Sequence, residues 1–224
     1  MEQFYEILEK CPLFRGIGRE KFPEMLTCFG ARTLRLQREQ LVFAEGEEAA
    51  WVGIVLTGAC RVIREDYYGN RSIVAHIPPA GVFGESYVCA GVGQLPVSVA
   101  AECESQVLLV DCRRIAEGCG GSCAFHGRVL QNLVQLMARK NLELVQKMEI
   151  LSHRTTREKL LAFLTAQAKR QGSSAFTVPY DRQALADYLQ VDRSGLSVEI
   201  GKLRREGRLE CEKNYFHLLE KRQN

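Results

Sequence analysis

The chain has 224 residues, 46% of them hydrophobic and 25% charged, with a net charge of +3; this is about one and a half average domains, and the composition excludes a largely disordered polypeptide. The longest apolar run, Trp51-Val-Gly-Ile-Val-Leu-Thr-Gly58, is far shorter than the roughly eighteen residues of a membrane span, and the start Met1-Glu-Gln-Phe-Tyr-Glu lacks the basic and apolar regions of a secretory signal. Nine cysteines, an odd number spread along the chain, read as reduced thiols of a cytoplasmic protein rather than a disulfide framework.

Phe4, Ile7, Leu8 and then Phe22, Met25, Leu26 recur at i, i+3, i+4 and predict helices in the first thirty residues. From Arg32 to about Cys112 the texture changes to short β-branched runs broken by glycines. Thr33-Leu-Arg-Leu-Gln, Cys60-Arg-Val-Ile-Arg, Ser72-Ile-Val-Ala-His-Ile, Val97-Ser-Val-Ala-Ala-Glu and Gln106-Val-Leu-Leu-Val-Asp read as strands, with a turn at Tyr67-Tyr-Gly-Asn-Arg and a stop at Pro78-Pro-Ala-Gly. Strands at this spacing predict a small sandwich or barrel.

After Cys119-Gly-Gly-Ser-Cys123 a long helix is predicted. Leu130, Val134, Met137, Asn141, Leu144, Met148 and Leu151 are separated by 4, 3, 4, 3, 4 and 3 residues. That is a heptad seam, the period that winds two helices together, with Asn141 at a position where a polar amide costs stability and fixes register. The competing expectation is one amphipathic helix packed on its own domain. Thr155 caps a following helix, and Gly172-Ser-Ser and Phe176-Thr-Val-Pro lead to two shorter helices, Arg182–Leu189 and Arg193–Glu206. A hairpin turning at Lys213-Asn214 closes the series.

Charge is divided unevenly. From His153 to Asn224 there are fourteen Lys and Arg against nine Asp and Glu, a balance of +5, which leaves the remainder at −2. A basic end on a slightly acidic body points to a nucleic-acid- or membrane-facing function there, against the plainer alternative of a solvated basic surface with no partner. The two short helices joined through Gln190-Val-Asp form a helix-turn-helix, with Leu185, Leu189, Val191, Leu196, Ile200 and Leu203 as its shared core and small Ala186 at the close approach. Asp192 is the expected N-cap of the second helix. It leaves Arg193, Ser194 and Ser197 at the end that enters a major groove in such motifs, where arginine contacts guanine bidentately and serine reaches bases or phosphates. Arg182, expected to be exposed, and Gln183 suit phosphate contacts, and Lys202, Arg204 and Arg205 add nonspecific attraction.

This order of parts resembles the cyclic-AMP receptor/fumarate-nitrate-reduction regulator (CRP/FNR) superfamily over essentially the whole length. The resemblance is carried by Val42-Phe-Ala-Glu-Gly-Glu-Glu-Ala-Ala-Trp-Val-Gly-Ile-Val-Leu-Thr-Gly58, with Gly46 and Gly58 at spaced turns. It is carried too by Phe83-Gly84-Glu85-Ser86, which looks like a phosphate-binding cassette, and by Val191-Asp-Arg-Ser-Gly-Leu-Ser-Val-Glu-Ile. It implies an α+β fold: an N-terminal double-stranded β-roll (jelly-roll) with helices over 1–122, a long dimerisation helix over 123–152, and a C-terminal winged helix-turn-helix over 153–224. It also implies a homodimeric regulator, not an enzyme, acting on a palindromic operator in double-stranded DNA, with RNA polymerase as a partner and no membrane.

Effector residues implied by the resemblance are Gly84, Glu85, Ser86, Val97, Ser98, Leu144 and Val145. Physically, a Gly-Glu turn at a helix start offers backbone N–H groups to an anion and a carboxylate to a ribose hydroxyl. The family's cyclic-AMP binders carry Arg-Ser late in the cassette, where the arginine pairs with the cyclic phosphate. Here Val97-Ser98 (or Pro96-Val97, depending on gap placement) stands there, and no Arg or Lys lies between Gly84 and Ala101. The polar pair that receives adenine aligns with Leu144 and Val145, and Val198 stands where many relatives carry a second base-reading arginine. The expected effector is therefore a small molecule other than cyclic AMP.

Three other sensor chemistries and one other class stand beside this reading. An iron–sulfur sensor gathers several N-terminal cysteines, whereas Cys11 and Cys28 have no ligand spacing, so no metal is expected. Cys119 and Cys123 at a helix start form a candidate redox pair, and His76, His126 or Cys89 are candidate haem ligands. A cupin-like metal enzyme requires clustered histidines, but His76 stands alone among four.

Overall fold

The computed structural model describes residues 1–69, 71–117, 123 and 125–219. In chain order its helices are α1 Tyr5–Lys10, α2 Phe22–Cys28, α3 Glu85–Cys89, α4 Cys112–Glu117, α5 His126–Ser152, α6 Thr156–Gln171, α7 Arg182–Leu189 and α8 Arg193–Arg205. Its strands are β1 Arg32–Leu36, β2 Leu41–Phe43, β3 Trp51–Thr57, β4 Cys60–Glu65, β5 Arg71–Ile77, β6 Val82–Phe83, β7 Ser98–Ala101, β8 Ser105–Asp111, β9 Ala175–Thr177, β10 Leu209–Glu212 and β11 Tyr215–Leu218. The chain divides into two compact units, Met1–Arg139 and Lys140–Asn224. The division falls inside α5.

In the first unit two four-stranded sheets, ordered β1-β8-β3-β6 and β2-β7-β4-β5, form the β-roll. Successive side chains of a strand point to opposite faces, and β3 and β8 are apolar without a break because both their faces are covered. Val55, Val107 and Leu109 point into the roll with Val42, Phe43, Phe83 and Val99. Val52, Ile54, Leu56, Leu108 and Val110 point the other way, onto Leu8, Phe22, Met25 and Phe29 of the N-terminal region, Phe125 just before α5, and Val129, Leu133 and Leu136 in its first turns. Gly46 and Gly58 take positive φ, 86° and 74°, as turn positions of the roll signature require.

Within this unit α5 is two-faced. Its inner face, Val129, Asn132, Leu133 and Leu136, is buried. The Asn132 amide nitrogen donates to the carbonyls of Leu13 and Arg15 at 3.0 and 2.8 Å, so the helix start is tied to the segment after α1 by a buried polar clasp. The seam residues lie on the outer face, with Leu130 44% and Val134 62% exposed.

The second unit packs the rest of α5, α6, α7, α8 and the three-stranded sheet β10-β11-β9 around Leu160, Phe163, Leu164, Leu185, Leu196, Leu203 and Phe216. Thr155 and Glu158 form a reciprocal capping box at the start of α6, with Glu158 N donating to Thr155 Oγ1 at 3.2 Å and Thr155 N to Glu158 Oε2 at 3.1 Å. The expected hairpin is β10–β11, with Glu212 opposite Tyr215 and Lys213 at φ 51° in the turn. Here too the outer face of α5 is uncovered: Asn141 is exposed, Leu144 and Met148 are 56% and 63% exposed, and Leu151 is half-buried. No helix among the described residues is long and apolar enough to cross a membrane.

Candidate functional sites

Each helix of the helix-turn-helix is opened by an aspartate. Asp181 Oδ1 accepts from Ala184 N at 2.8 Å at the start of α7, and Asp192 Oδ2 accepts from Gly195 N at 2.8 Å at the start of α8. The Ser194 hydroxyl also donates to Asp192. These hydrogen bonds, Ser194 first and Gly195 next, hold the Asp192 carboxyl below its ordinary range. Between the helices Gln190 takes the left-handed conformation (φ 52°), and Val191 N returns to the Ala186 carbonyl at 3.0 Å, a tight C-terminal cap.

The period of α8 then sorts its residues. Leu196, Ile200 and Leu203 are buried, while Arg193, Ser194, Ser197 and Val198 are exposed on the other side. Ser197 Oγ donates back to the Arg193 carbonyl at 2.9 Å, which leaves the hydroxyl oxygen free to accept. Lys202 Nζ is 2.6 Å from Glu199 Oε1, so its charge is partly offset on its own helix. Beyond α8, Arg157 of α6 grips Glu206 with its two terminal guanidinium nitrogens, Nη1 at 2.7 Å. Arg157 holds the Glu206 carboxyl below its usual range and ties the first turn of α6 to the end of α8.

Arg182 departs from expectation. It is half-buried, its guanidinium lies 5.8 Å from the Phe216 ring, and its buried Nη1 has no hydrogen-bond partner among the described residues. The reason is tertiary: the first turn of α7 abuts β11 of the wing, and the long side chain covers the aromatic ring there. Gln183 is exposed and its amide donates to Asp187 Oδ1 at 2.8 Å.

In the roll, Gly84 opens α3 with φ 83°. A Cβ there would lie 2.8 Å from the Trp51 carbonyl oxygen, so the turn excludes every side chain. Glu85 is 1% exposed and accepts from the Ser86 hydroxyl at 3.2 Å. Ser86 also approaches Met137 Sδ of α5 at 3.9 Å, so the cassette touches the long helix directly. Val97 is buried at 3% exposure, whereas Ser98 is half-buried and its Oγ accepts from Glu45 N at 3.0 Å. Leu144 and Val145 are exposed in the second unit, at 56% and 53%.

Sequence reasoning missed the cavity next to Ser98. It measures about 510 Å³ and is lined by Glu39, Leu41, Ala44, Glu45, Ile63, Glu65, Asp66 and Ser98. Four carboxylates surround it, and Arg61 pairs with Glu39 at its margin. These acids come from three separate stretches of chain, and only the pairing of β4 with β7 and β2 with β7 gathers them. The lining of the cavity is thus rich in carboxylates, with the Arg61–Glu39 pair at its edge. Neither Gly84 nor Glu85 lines this space.

His76 lies exposed on β5 with Nδ1 2.9 Å from Glu102 Oε1, an ordinary surface pair. Cys89 is exposed at the end of α3 beside buried Cys112, whose thiol burial pushes up to about 12. Cys123 is half-buried; Cys119 lies outside the described residues.

Residues 33–119 match the cyclic nucleotide-binding domain, and residues 158–223 match the Crp-like helix-turn-helix domain; together they span more than half of the chain. No curated protein matches the chain in sequence. Among solved structures it is similar to FixK2 from Bradyrhizobium japonicum, 22% identical over 85% of this chain and 93% of that one, with a TM-score of 0.51. It is similar to the c-di-GMP responsive global regulator CLP of Xanthomonas campestris, 15% identical over 91% and 100%, TM-score 0.59. It is also similar to DNR from Pseudomonas aeruginosa, 18% identical over 96% and 93%, TM-score 0.50. At these identities the likeness establishes a common fold.

Proposed function

Because the chain belongs to the CRP/FNR superfamily of transcription regulators, we propose that it works as a cytoplasmic homodimer. It reads a palindromic site in double-stranded DNA under the control of a small effector held in the roll and distinct from cyclic AMP. In this reading residues 1–122 sense, 123–152 pair the two copies, and 153–224 bind DNA and present the dimer to RNA polymerase. It acts by binding, with no catalytic step of its own. The observation that carries the reading is the capped start of α8, where Arg193, Ser194 and Ser197 are exposed above a buried Leu196–Ile200–Leu203 base.

Arg193 supplies the bidentate donor for a guanine edge; Ser194, Ser197 and Gln183 reach neighbouring bases or phosphates, and Lys202 adds charge. Asp192 acts through the backbone by fixing where the helix starts. Arg182 supports the wing through Phe216 and directs what remains of its guanidinium toward a phosphate. Two copies related by the α5 seam give half-sites one helical turn apart or a multiple of it. The acidic cavity at Ser98 supports an effector that is neutral or cationic rather than a cyclic phosphate.

The experiment is fluorescence anisotropy on a duplex enriched from a random pool by the full-length protein. Arg193→Ala is expected to cost about 1–3 kcal/mol of specific binding and to relax selectivity at one position of each half-site, with binding to unrelated duplex nearly unchanged. Unaltered selectivity in that variant would overturn the assignment of the reading helix.

A further inference from the structure

The tertiary fold brings together three soft ligands that lie far apart in the chain. Cys28 ends α2, His126 begins α5, and Cys123 stands three residues before His126. Their candidate ligand atoms, the two Sγ and an imidazole nitrogen, all lie within 4.8 Å of one another. Cys28 Sγ is 3.7 Å from His126 Nε2 across a separation of 98 residues. A tetrahedral ion with metal–sulfur bonds near 2.3 Å and metal–nitrogen bonds near 2.05 Å separates sulfur from nitrogen by roughly 3.6 Å and two sulfurs by roughly 3.8 Å. The Cys28–His126 spacing already matches the first of these values, and no pair of the three ligand atoms is farther apart than 4.8 Å.

From this geometry we propose that Cys28, Cys123 and His126 bind one zinc-class divalent ion, a function separate from the effector cavity and from the reading helix. Two thiolates and one imidazole are the donor set such ions prefer. The imidazole is held in place for it: the Phe125 ring stacks on it at 5.0 Å and the Phe29 ring meets it edge-on at 5.1 Å. Both thiols sit half-buried against the apolar core under the first sheet, which shields the site from bulk water. Cys123 also lines an open cavity of about 340 Å³ with Lys21, Glu24 and Arg128, which gives an ion a way in. Binding releases the protons of the two thiols to solvent as the metal–sulfur bonds form, with no change of oxidation state. The bound ion joins the end of α2 to the first turn of α5, so occupancy stiffens the root of the helix that carries the proposed dimer seam. The proposed set does not include Cys119, which lies outside the described residues.

The test uses the full-length protein, reduced and stripped of metal, titrated with Zn²⁺ against a chromophoric chelator and separately with Co²⁺. One equivalent is expected to bind, with thiolate-to-cobalt charge-transfer and tetrahedral d–d bands. Cys28→Ser, Cys123→Ser and His126→Gln are each expected to weaken Zn²⁺ at least tenfold. The double variant Cys89→Ser/Cys103→Ser, which removes two exposed thiols, is expected to bind as the parent does. Circular dichroism checks folding; should Cys28→Ser unfold, Cys123→Ser, which lies outside α2 and α5, decides. Absence of stoichiometric binding, or full affinity in a folded Cys28→Ser or Cys123→Ser protein, would overturn the proposal. The readout is metal occupancy, so the result is independent of whether the protein binds DNA.

Discussion

Asp192 shows how much one side chain organises at the start of α8. Its carboxylate takes the Gly195 amide and the Ser194 hydroxyl, and these bonds hold it ionised to lower pH than a free aspartate. Glu158 in the capping box and Glu206 under Arg157 are shifted in the same direction. A carboxyl whose folded value is depressed contributes stability that is complete above its unfolded value, near 4, and is lost as pH falls through the folded value. The thermal midpoint of the second unit is therefore expected to be flat near neutrality and to fall in acid. Asp192→Asn should lower the midpoint at pH 7 and make the acid fall shallower, as followed by circular dichroism. An unchanged acid slope would remove Asp192 from the titrating set.

At the scale of elements, α5 carries two apolar stripes with different fates. Val129, Leu133 and Leu136 pack inward, whereas Leu130, Val134, Leu144 and Met148 remain 44–63% exposed. Covering each of these half-exposed side chains is worth roughly 1 kcal/mol, and a second copy of the same helix presents the matching 3.5-residue period. Met148→Glu is expected to yield a monomer at concentrations where the parent sediments as a dimer. Asn141→Val should hold or tighten association while loosening register, because the amide no longer penalises misaligned pairings. A parent that is monomeric at tens of micromolar would rule out the seam.

For the molecule as a whole, the question is what moves the DNA affinity. The cavity at Ser98 is ringed by Glu39, Glu45, Glu65 and Asp66, and the stretch between Gly84 and Ala101 holds no Arg or Lys. Cyclic AMP at millimolar concentration is expected to leave the anisotropy isotherm on the selected duplex unchanged. A tenfold shift, equal to about 1.4 kcal/mol of coupling, would mean that a cation from elsewhere reaches the phosphate. Ser86 of the cassette lies 3.9 Å from Met137 Sδ, a direct contact between the roll and the first half of α5.

Much of this architecture was legible in local patterns. Strand alternation, the heptad spacing of α5, the Asp192 cap and the Lys213-Asn214 turn each depend on residues a few positions apart, so periodicity together with local capping and turn chemistry predicts them. The two-faced burial of β3 and β8 was visible only as an apolar run, because which layers cover a strand is decided by elements distant in sequence. The same holds for Arg182, drawn over Phe216 by the packing of α7 on the wing, and for the acidic cavity assembled by strand pairing. Cys28 acquires its neighbours from a helix that starts 98 residues later. Short-range order follows from the amino acids in turn; the candidate sites depend on side chains gathered across the chain, and only the packed core gathers them.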